Sequence, residues 1–571
     1  MIFKFGPVYR GINVTGSAKL PLAEQPTTRT RPAPLSLPSS NQLPFGELPF
    51  DRSEQRRHAE RLASLGFNLI RLVLPWEVLA PYSPDLSPPK DQIDSILHFL
   101  RECKRVRVRV IVDGHQDVAS RFTGGDGFPA WAVEACNVTC NAEVLHRSLA
   151  AHLHSMNSDE SYPRMSWSCN HGRLGCATLM TMFWGGGRFL GKWDLQQKLQ
   201  SNYIRVYAHL ASAISAAGLA DVIAGFDAFN EPDAGFIGIE DLSALARSSL
   251  DPIKGMTPRA AIQSGAAVWL DGECPFKGIK DDHFKLFEGE SFEQTFLAPF
   301  LVEFQRRVVD AHLPNSRLFV EGRPFRPLPS LPFASVPCPH WYDLETLIYR
   351  KFNKRQLPLE KLKSRMLKQI KGIMDGCRTK NHPERVVLGE FGLAMNLDVP
   401  SEKLESERIK ALRFYYDILD DLGIGGCLWN YTPSNCDDDR WNREDLSIIS
   451  RGRFRAGLCY ARPYVEKWES RDAAEKQVRW RYHDGMLRVA FSPFVTTVTV
   501  VCPGKCVAVD YTRGVNVRIE QDQWSATFDA FKPPYRARIT RKKGGKDGFV
   551  SLRIAAHPAA AATAPSSNGR L

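Results

Sequence analysis

The chain has 571 residues, of which 43% are hydrophobic and 24% are charged. It is too long for one ordinary core and too apolar for a disordered protein, so we expect two globular domains. The net charge is +12, but the basic residues are dispersed. Dispersed basic residues argue against a nucleic-acid partner. They either lie on ordinary solvent-exposed surfaces or attract the protein weakly to anionic membranes.

The amino-terminal segment and the cysteines indicate a reducing compartment. The first ten residues contain neither the apolar core nor the cleavage pattern of a secretory signal. No stretch approaches the roughly 18 apolar residues of a transmembrane helix. We therefore predict a cytoplasmic protein whose contact with membranes is at most transient and peripheral. Thirteen cysteines, an odd number at low density, favour reduced thiols.

Two cysteine pairs have the spacing of half a metal site. Cys136/Cys140 and Cys502/Cys506 each lack a second ligand pair at zinc-finger spacing. We therefore predict no structural zinc at either pair. The sequence also indicates no cofactor and no obligate protein partner.

Eight short apolar runs alternate with helical patterns up to about residue 465. They are rich in Val, Ile and Phe, as is typical of parallel strands covered on both faces. One intervening segment, Glu54–Leu65, has apolar residues at helical spacing and ends before Gly66. Eight such strands with crossover helices predict a (β/α)8 TIM barrel. The predicted strands are Val8–Val14, Asn68–Leu74, Arg107–Val112, Ile223–Phe229, Arg317–Val320, Ser335–Trp341, Arg385–Gly389 and Gly425–Trp429.

Three long segments interrupt this pattern, at residues 21–50, 124–192 and 240–293. Loops of this length in a compact domain are usually functional or disordered. In a barrel, the loops that follow strands build the active face. We therefore expect the insertions to border the site.

After about residue 470 the pattern changes to short, often alternating runs separated by turn residues. Such a pattern predicts a small antiparallel β-sandwich. The domains are accordingly a catalytic barrel over residues 1–468, a sandwich over residues 469–556 and a disordered tail over residues 557–571. The predicted sandwich strands are Val478–Tyr482, Leu487–Phe491, Thr496–Val501, Cys506–Tyr511, Val515–Ile519, Trp524–Phe528, Ala537–Thr540 and Phe549–Ile554.

Nearly every predicted barrel strand ends in side chains that a sugar site uses. Because the carboxyl ends of barrel strands converge on one mouth, we expect these side chains to lie together. Glu231 ends the fourth strand and Glu390 ends the seventh, and two facing carboxyl groups are the minimum equipment for cutting a glycosidic bond. The second strand carries Arg71, and the other candidates at strand ends are His115, Asn230, His340, Tyr342 and Trp429.

Taken singly, each of these signals also has a structural interpretation. The Asn-Glu-Pro tripeptide at 230–232 is also typical of a helix start, with Asn as the cap and Pro at the first helical position. The segment 389–392, Gly-Glu-Phe-Gly, is also typical of a turn. His340 alone is more typical of a satisfied core or surface histidine, Arg71 of a structural ion pair and Trp429 of packing. Their order on the predicted strands favours one common site.

The order of these residues resembles that of the (β/α)8 glycoside hydrolases whose acid/base stands on strand four and whose nucleophile stands on strand seven. Among these enzymes, the chain looks like a member of glycoside hydrolase family 5. Longer motifs resemble the endoglycoceramidase-related subgroup, especially its fungal intracellular enzymes acting on steryl β-glucosides and glucosylceramide. The resemblance covers nearly the whole barrel and extends to the sandwich. The motifs are RGINVTGSAKLP at 10–21, DGHQDV at 113–118, CATLMTMFWG at 176–185, NEPDAGFIG at 230–238, WNYTPSN at 429–435 and WNREDLS at 441–447.

The resemblance implies a retaining β-glycosidase whose substrate is a glycolipid and which needs no metal. It implies that Glu231 is the acid/base and that Glu390 is the nucleophile. Substrate binding is implied for Arg71, His115, Asn230, His340, Tyr342 and Trp429.

Two alternatives to this function stay open, as does one question about the insertions. A soluble β-glucan hydrolase of the same family would have a long groove lined by spaced Trp and Tyr. A non-catalytic carbohydrate- or lipid-binding protein on a decayed barrel would lack turnover. Apolar side chains of the insertions around the fourth strand either pack the loops against the barrel or form a lipid-facing rim: Leu179, Met180, Met182, Phe183, Trp184, Phe189, Phe236 and Ile237.

Overall fold

Eight parallel strands form a closed barrel in the computed structural model of the chain. In chain order they are β1 (Arg10–Val14), β2 (Leu69–Val73), β3 (Arg109–Asp113), β4 (Ile223–Asp227), β5 (Arg317–Val320), β6 (Val336–Pro337), β7 (Val387–Gly392) and β8 (Gly425–Trp429). Neighbours follow the order β6-β5-β4-β3-β2-β1-β8-β7. A parallel bridge between His340 and Glu390 joins the two ends of this order. The predicted fold class is confirmed.

The structure describes residues 3–4, 9–22, 43–154, 166–245, 267–324, 326–377, 386–436, 441–442 and 444–470, together with seven strands between residues 478 and 554. The predicted segments at 21–50, 124–192 and 240–293 are therefore described in part. The predicted strand at 515–519 and the predicted tail at 557–571 lie outside the described residues.

The apolar character of the strands follows from their burial on both faces. Outward-facing residues pack against the helices, and inward-facing residues fill the barrel below its mouth. One separate cluster of buried side chains takes members from seven of the eight strands or the residue after them: Leu69, Ile111, Ala224, Phe319, Val336, Cys338, Val387 and Cys427. The barrel is therefore a packed core, and a site can open only at its ends.

Helices surround the barrel between its strands. The predicted helix Glu54–Leu65 is found as α1, with bounds of one or two residues' difference, and Gly66 follows it at a φ of 90°. The helices are α1 (Arg52–Ser64), α2 (Trp76–Leu79), α3 (Lys90–Arg105), α4 (Ala130–Ala135), α5 (Ala142–Arg147), α6 (Leu174–Leu190), α7 (Trp193–Ala216), α8 (Leu242–Leu245), α9 (Ala298–Phe304), α10 (Leu344–Tyr349), α11 (Leu359–Cys377) and α12 (Ser401–Leu422). Within the described part of the chain, none is long and apolar enough to cross a membrane.

Two antiparallel sheets form the carboxyl-terminal sandwich. Their strands are β9 (Tyr464–Ser470), β10 (Val478–His483), β11 (Met486–Phe491), β12 (Val495–Cys502), β13 (Cys506–Thr512), β14 (Trp524–Phe528), β15 (Tyr535–Arg541) and β16 (Gly548–Ile554). One sheet has the order β9-β12-β15-β14, with the short strand Phe3–Lys4 beside β9, and the other has the order β10-β11-β16-β13. The sequence reasoning missed β9 and the strand at Phe3–Lys4.

Arginines join the sandwich to the barrel. Arg462 donates to Asp417 and Asp420 of α12, at 2.6 and 2.9 Å, and to the carbonyl of Tyr482 in β10. Arg10 of β1 also pairs with Asp420, and its guanidinium lies 5.0 Å from the centre of the Trp480 ring in β10. Buried charges of this kind are stable only when paired, so these contacts hold the two parts in one arrangement.

Gly225 in β4 lies where neighbouring strands leave no room for a side chain. A methyl group added there would lie 2.0 Å from the carbonyl oxygen of Arg317 and 2.7 Å from the ring of Phe319. We expect Gly225→Ala to lower the free energy of unfolding by about 1–3 kcal/mol, because overpacking forces the barrel to shift. Denaturant unfolding measures this change.

The matched control for this prediction is Gly372 in α11. A methyl group added at Gly372 would have no neighbouring atom within 4 Å. Gly372→Ala should therefore raise the free energy of unfolding by about 0.5–1 kcal/mol, since alanine is the better helix former. Equal changes in the two variants would contradict the packing argument.

Candidate active site

The carboxylates of Glu231 and Glu390 meet at the mouth of the barrel. Glu390 lies within β7, and Glu231 follows β4. One oxygen of each carboxylate lies within 4.8 Å of the other, and both lie within that distance of a ring nitrogen of His340. The predicted meeting of the two glutamates is confirmed.

The segment around Glu231 is irregular rather than helical. Glu231 has a φ of 40°, a left-handed conformation that residues with side chains rarely adopt. Residues 228–235, all of them described, contain no helix, so the helix-start interpretation of Asn-Glu-Pro is wrong. The backbone N–H of Glu231 donates to Glu321 Oε1 at 2.8 Å. Strain of this kind persists where surrounding contacts impose it, and it aims the Glu231 side chain into the mouth.

Arg71 of β2 is a fully buried cation that ties the site together. Its guanidinium donates to Glu390 Oε1 at 2.8 Å, to Asn230 Oδ1 at 2.7 Å and to Asp227 Oδ2 at 2.9 Å. It also pairs with Asp113 at 3.0 Å. Burial by itself would lower the pKa of Arg71, but these carboxylates raise it well above its ordinary value. A permanent positive charge therefore lies directly against the Glu390 carboxylate.

Glu390 is held in its ionised form by hydrogen bonds and nearby positive charge. The Tyr342 hydroxyl donates to Glu390 Oε2 at 2.7 Å. Burial favours protonation of Glu390, but His340, Arg71, His115 and Lys19 outweigh it and lower the pKa below its usual range. Burial and the neighbouring carboxylate raise the pKa of the Tyr342 hydroxyl, so it remains a donor. An ionised carboxylate with two donors is the state that a nucleophile needs.

His340 links the acid and the nucleophile positions. Its Nδ1 lies 2.8 Å from Glu231 Oε1 and 3.7 Å from Glu390 Oε2, and its Nε2 lies 3.3 Å from Glu321 Oε2. Burial disfavours the charged ring, but Glu321, Glu390 and Glu231 raise the pKa of His340 to about 10. His340 therefore supplies a positive charge between three carboxylates.

Glu321 was missed by the sequence reasoning. It directly follows β5, so the rule that located Glu231 applies to it as well. Its carboxylate is buried and contacts His340 and the backbone of Glu231. Burial raises the pKa of Glu321 well above its ordinary value, and the carboxylates of Asp227 and Glu231 add to this effect. Glu321 therefore holds the backbone of Glu231 and the ring of His340 in place.

The remaining predicted residues complete the cluster. Asn230 donates to the carbonyl of Gln116 at 2.9 Å while it accepts from Arg71. His115 Nδ1 lies 2.8 Å from Asp113 Oδ2, and its ring stacks on Trp429 with centroids 5.4 Å apart. All eight residues predicted from the sequence thus lie in one connected group.

A narrow cleft, about 70 Å³ in volume, opens beside Trp429. Lys19 Nζ lies 3.7 Å from the centre of the Trp441 ring and 4.5 Å from that of Trp429, and it pairs with Asp117. Burial raises the pKa of Glu444, another wall residue, to about 8. Lys19, Trp441 and Glu444 belong to the quoted motifs, but no pattern in those motifs indicates that they lie in the site.

Three sets of described side chains come close enough to hold a cation by distance alone. Arg71 and Lys19 already pair with carboxylates of all three sets, so a metal would have to compete with these cations. The prediction that the protein needs no metal stays a prediction. The sets are His115 with Asp117 and Asp126, Asp227 with Glu321 and His340, and Glu231 with His340 and Glu390.

The apolar side chains of the insertions pack inward. All eight are buried, at 8% exposure or less. Phe183 and Trp184 of α6, for example, pack on Phe229 after β4. The rim interpretation is therefore wrong for these residues, which attach the insertions to the barrel.

Tyr342→Phe tests the electrostatics of the nucleophile position. Loss of the donated hydrogen bond should reduce kcat/KM about 10- to 100-fold, since a bond to a charged group contributes about 1.5–3 kcal/mol. Its loss should also raise the pKa of Glu390. Because the ionised form is needed, the acidic limb of kcat/KM should move to higher pH, while the wild type keeps its activity to a pH below the usual glutamate range. A lower kcat/KM with an unmoved acidic limb would contradict this role.

Comparisons with known proteins agree with this geometry. No family model matches the chain. A glucosylceramidase from Rhizopus delemar is 26% identical over 523 residues, which cover 77% of this chain and 76% of the relative. The chain is related to the glucosylceramidases. The resemblance predicted from the motifs is thereby confirmed, as is the expectation of an enzyme of the glycoside hydrolase class, and the decayed-barrel alternative is not supported.

Solved structures share the fold of this chain. Sterylglucosidase 1 from Cryptococcus neoformans superposes with a TM-score of 0.77 at 22% identity, covering 96% of this chain and 95% of that one. Endo-glycoceramidase II from Rhodococcus sp. superposes with a TM-score of 0.57 at 15% identity, covering 97% and 98%. At these identities the likeness shows the barrel-plus-sandwich fold.

Proposed function

We propose that this protein is a retaining β-glycosidase that hydrolyses the β-glucosidic bond of glycolipids, namely steryl β-glucosides, glucosylceramide or both. The observation that carries the proposal is the pair of glutamates whose oxygens lie within 4.8 Å. Retaining glycosidases keep their carboxyl groups about 5–5.5 Å apart, whereas inverting enzymes leave room for a water between them. The measured approach supports the retaining geometry.

In the first step, a Glu390 oxygen attacks the anomeric carbon and forms a glycosyl ester. The bond from that carbon to the aglycone oxygen breaks, and Glu231 gives this oxygen a proton. Arg71 and Tyr342 hold Glu390 ionised before the attack. His340, which contacts Glu231, keeps the acid oriented.

In the second step, Glu231 takes a proton from water as the water oxygen attacks the anomeric carbon. The ester bond breaks and Glu390 leaves as a carboxylate, so two inversions give retention. Asn230 is positioned by Arg71 and Gln116 and would bind the sugar 2-hydroxyl, a contact that strengthens in the transition state. Trp429 would stack on the sugar ring.

The glycolipid substrate is supported by the relatives. The protein from Rhizopus delemar is named glucosylceramidase, and the protein from Cryptococcus neoformans is named sterylglucosidase 1. The cleft beside Trp429 has apolar walls that include Leu20, Trp441 and Leu446. An apolar aglycone would gain free energy by covering these walls.

A substrate panel tests the proposal. Steryl glucoside and glucosylceramide in mixed micelles should be hydrolysed with a higher kcat/KM than cello-oligosaccharides, and proton NMR should first detect the β-anomer of glucose. A preference for the oligosaccharide would replace the proposal with a β-glucan hydrolase. Initial release of α-glucose would contradict the retaining mechanism.

A further inference from the structure

Helix α10 and the turn after it have an unusual surface. The helix presents apolar side chains to solvent: Leu344 is 60% exposed, Ile348 42% and Tyr349 52%. Isolated exposed apolar residues are common, but neighbouring ones on a single turn of helix mark a contact surface. We define the segment 344–359 as the α10 surface.

Cations border these apolar side chains. Residues 350–355 contain Arg350, Lys351, Lys354 and Arg355, whereas Glu345 is the only acidic residue of the segment 344–359. Lys351 pairs with Asp398 at 3.1 Å and Arg355 with Glu345 at 3.0 Å, so the surface keeps a net positive charge with these acids included. Lys354 Nζ lies 3.3 Å from the centre of the Tyr349 ring, so the apolar and charged groups form one surface. Leu359, beyond the turn, is also exposed. Apolar side chains surrounded by lysine and arginine are the composition of interfacial membrane-binding elements.

The underside of α10 is fixed to the barrel. Asp343 caps the helix by accepting from the N–H of Glu345 and also accepts from the Tyr415 hydroxyl at 3.0 Å. Thr346 is buried and bonds to the same hydroxyl at 3.0 Å. The exposed face is therefore presented by a rigid support rather than by a loose loop.

The α10 surface lies next to the candidate site. Tyr342, which donates to Glu390, stands two residues before the helix begins. The segment follows β6, so it lies on the same face of the barrel as the mouth. A lipid surface that contacts α10 would therefore lie on the side of the barrel mouth, which is where a substrate held in a bilayer must enter.

We propose that the α10 surface binds the anionic phospholipid surface of a membrane and thereby places the barrel mouth against the bilayer. Its use in catalysis rests on the proposed glycolipid substrate, but the binding itself does not. Leu344, Ile348 and Tyr349 enter the interfacial region, and Lys351 and Lys354 remain at the level of the phosphates. This assigns the partner by chemistry: negative headgroups for the cations and acyl chains for the apolar side chains.

Vesicle sedimentation without any glycolipid tests the proposal. The full-length protein should bind phosphatidylcholine vesicles that contain phosphatidylserine more tightly than phosphatidylcholine alone, and salt should weaken the binding. Each cation near such a surface contributes about fivefold in affinity, so Lys351→Glu/Lys354→Glu should weaken binding at least about tenfold. Leu344→Ser/Ile348→Ser should weaken vesicle binding as well, because less apolar side-chain area is then buried in the lipid.

The matched control is Arg101→Glu/Lys104→Glu. Both residues are exposed near the end of α3, which leads into the start of β3 and so lies at the opposite end of the barrel. This control changes the net charge equally and should leave vesicle binding unchanged. Equal losses in the two charge variants, or no binding of the wild type to anionic vesicles, would overturn the proposal.

A soluble aryl β-glucoside separates this proposal from the proposed function. Both surface variants should hydrolyse it at the wild-type rate while they lose activity on glycolipid in anionic vesicles. A wild type that binds vesicles but hydrolyses no β-glucoside would refute the proposed function and leave the binding surface in place. A variant that loses vesicle binding but keeps full activity on glycolipid in vesicles would refute the role of the surface in substrate access.

Discussion

Glu390→Gln is expected to reduce kcat on an aryl β-glucoside by about 10⁴-fold or more, the scale of loss when a nucleophile is removed. Glutamine has nearly the same shape but carries no negative charge, so it cannot form the glycosyl ester. Arg71 and Tyr342 would still donate hydrogen bonds at this position, but the carboxylate anion that they stabilise would be gone. Steady-state kinetics measure the loss, and thermal unfolding shows that the variant is folded.

Two further variants make this assignment specific. Glu293 is also a buried glutamate, and it pairs with Arg323 at 2.7 Å. None of the contacts given above for the active site involves Glu293. Glu293→Gln should therefore keep the wild-type kcat. Glu390→Gly leaves space at the anomeric carbon, and added azide should restore turnover and give the α-glucosyl azide. Full activity of Glu390→Gln would refute the nucleophile assignment.

Glu231→Gln should have an effect that depends on the leaving group. A positioned acid contributes about 10²–10⁴-fold, and it contributes most where the departing oxygen needs a proton. We therefore expect a loss of this size in kcat/KM for an alkyl or steryl glucoside. The first step with a dinitrophenyl glucoside should be nearly unaffected, because that phenolate leaves without protonation.

The ratio of the two losses is the decisive measurement for Glu231. Tyr342→Phe serves as the comparison, since weakening the nucleophile should slow both substrates alike. With Glu231→Gln, azide should increase turnover and give the β-glucosyl azide, because the nucleophile is intact. Equal losses on the two substrates would show that Glu231 acts through structure rather than as the acid.

Local pattern predicted most of the fold. Short, mostly apolar runs located all eight barrel strands, because strands buried on both faces carry few polar side chains. The predicted strand boundaries were less accurate where backbone hydrogen bonds, rather than side-chain burial, determine where a strand ends. For example, Ser335–Trp341 was predicted as a strand, but only Val336–Pro337 is a regular strand. Beyond it, the N–H of Trp341 still bonds to the carbonyl of Glu390, which continues the contact to β7 without a regular ladder.

The strand β9 was missed for a related reason. Its sequence, YVEKWES, has no apolar run, and the strand forms because it pairs with β12, a partner distant in the chain. Glu321 was missed because a single acidic residue after a strand also resembles a turn. Lys19 and Trp441 come together only across the barrel mouth, and neither residue signals the other in the sequence.

The sequence by itself predicted the barrel, the second small β-domain, and the grouping of two glutamates and six other side chains at the barrel mouth. These depend on burial patterns and on the rule that parallel strands end at a common face, both of which act locally along the chain. Only the tertiary structure decided the approach of the Glu231 and Glu390 carboxylates, the charges that surround them and the inward packing of the insertions. These depend on distances between residues far apart in the chain, and such distances are set by packing that no local pattern encodes.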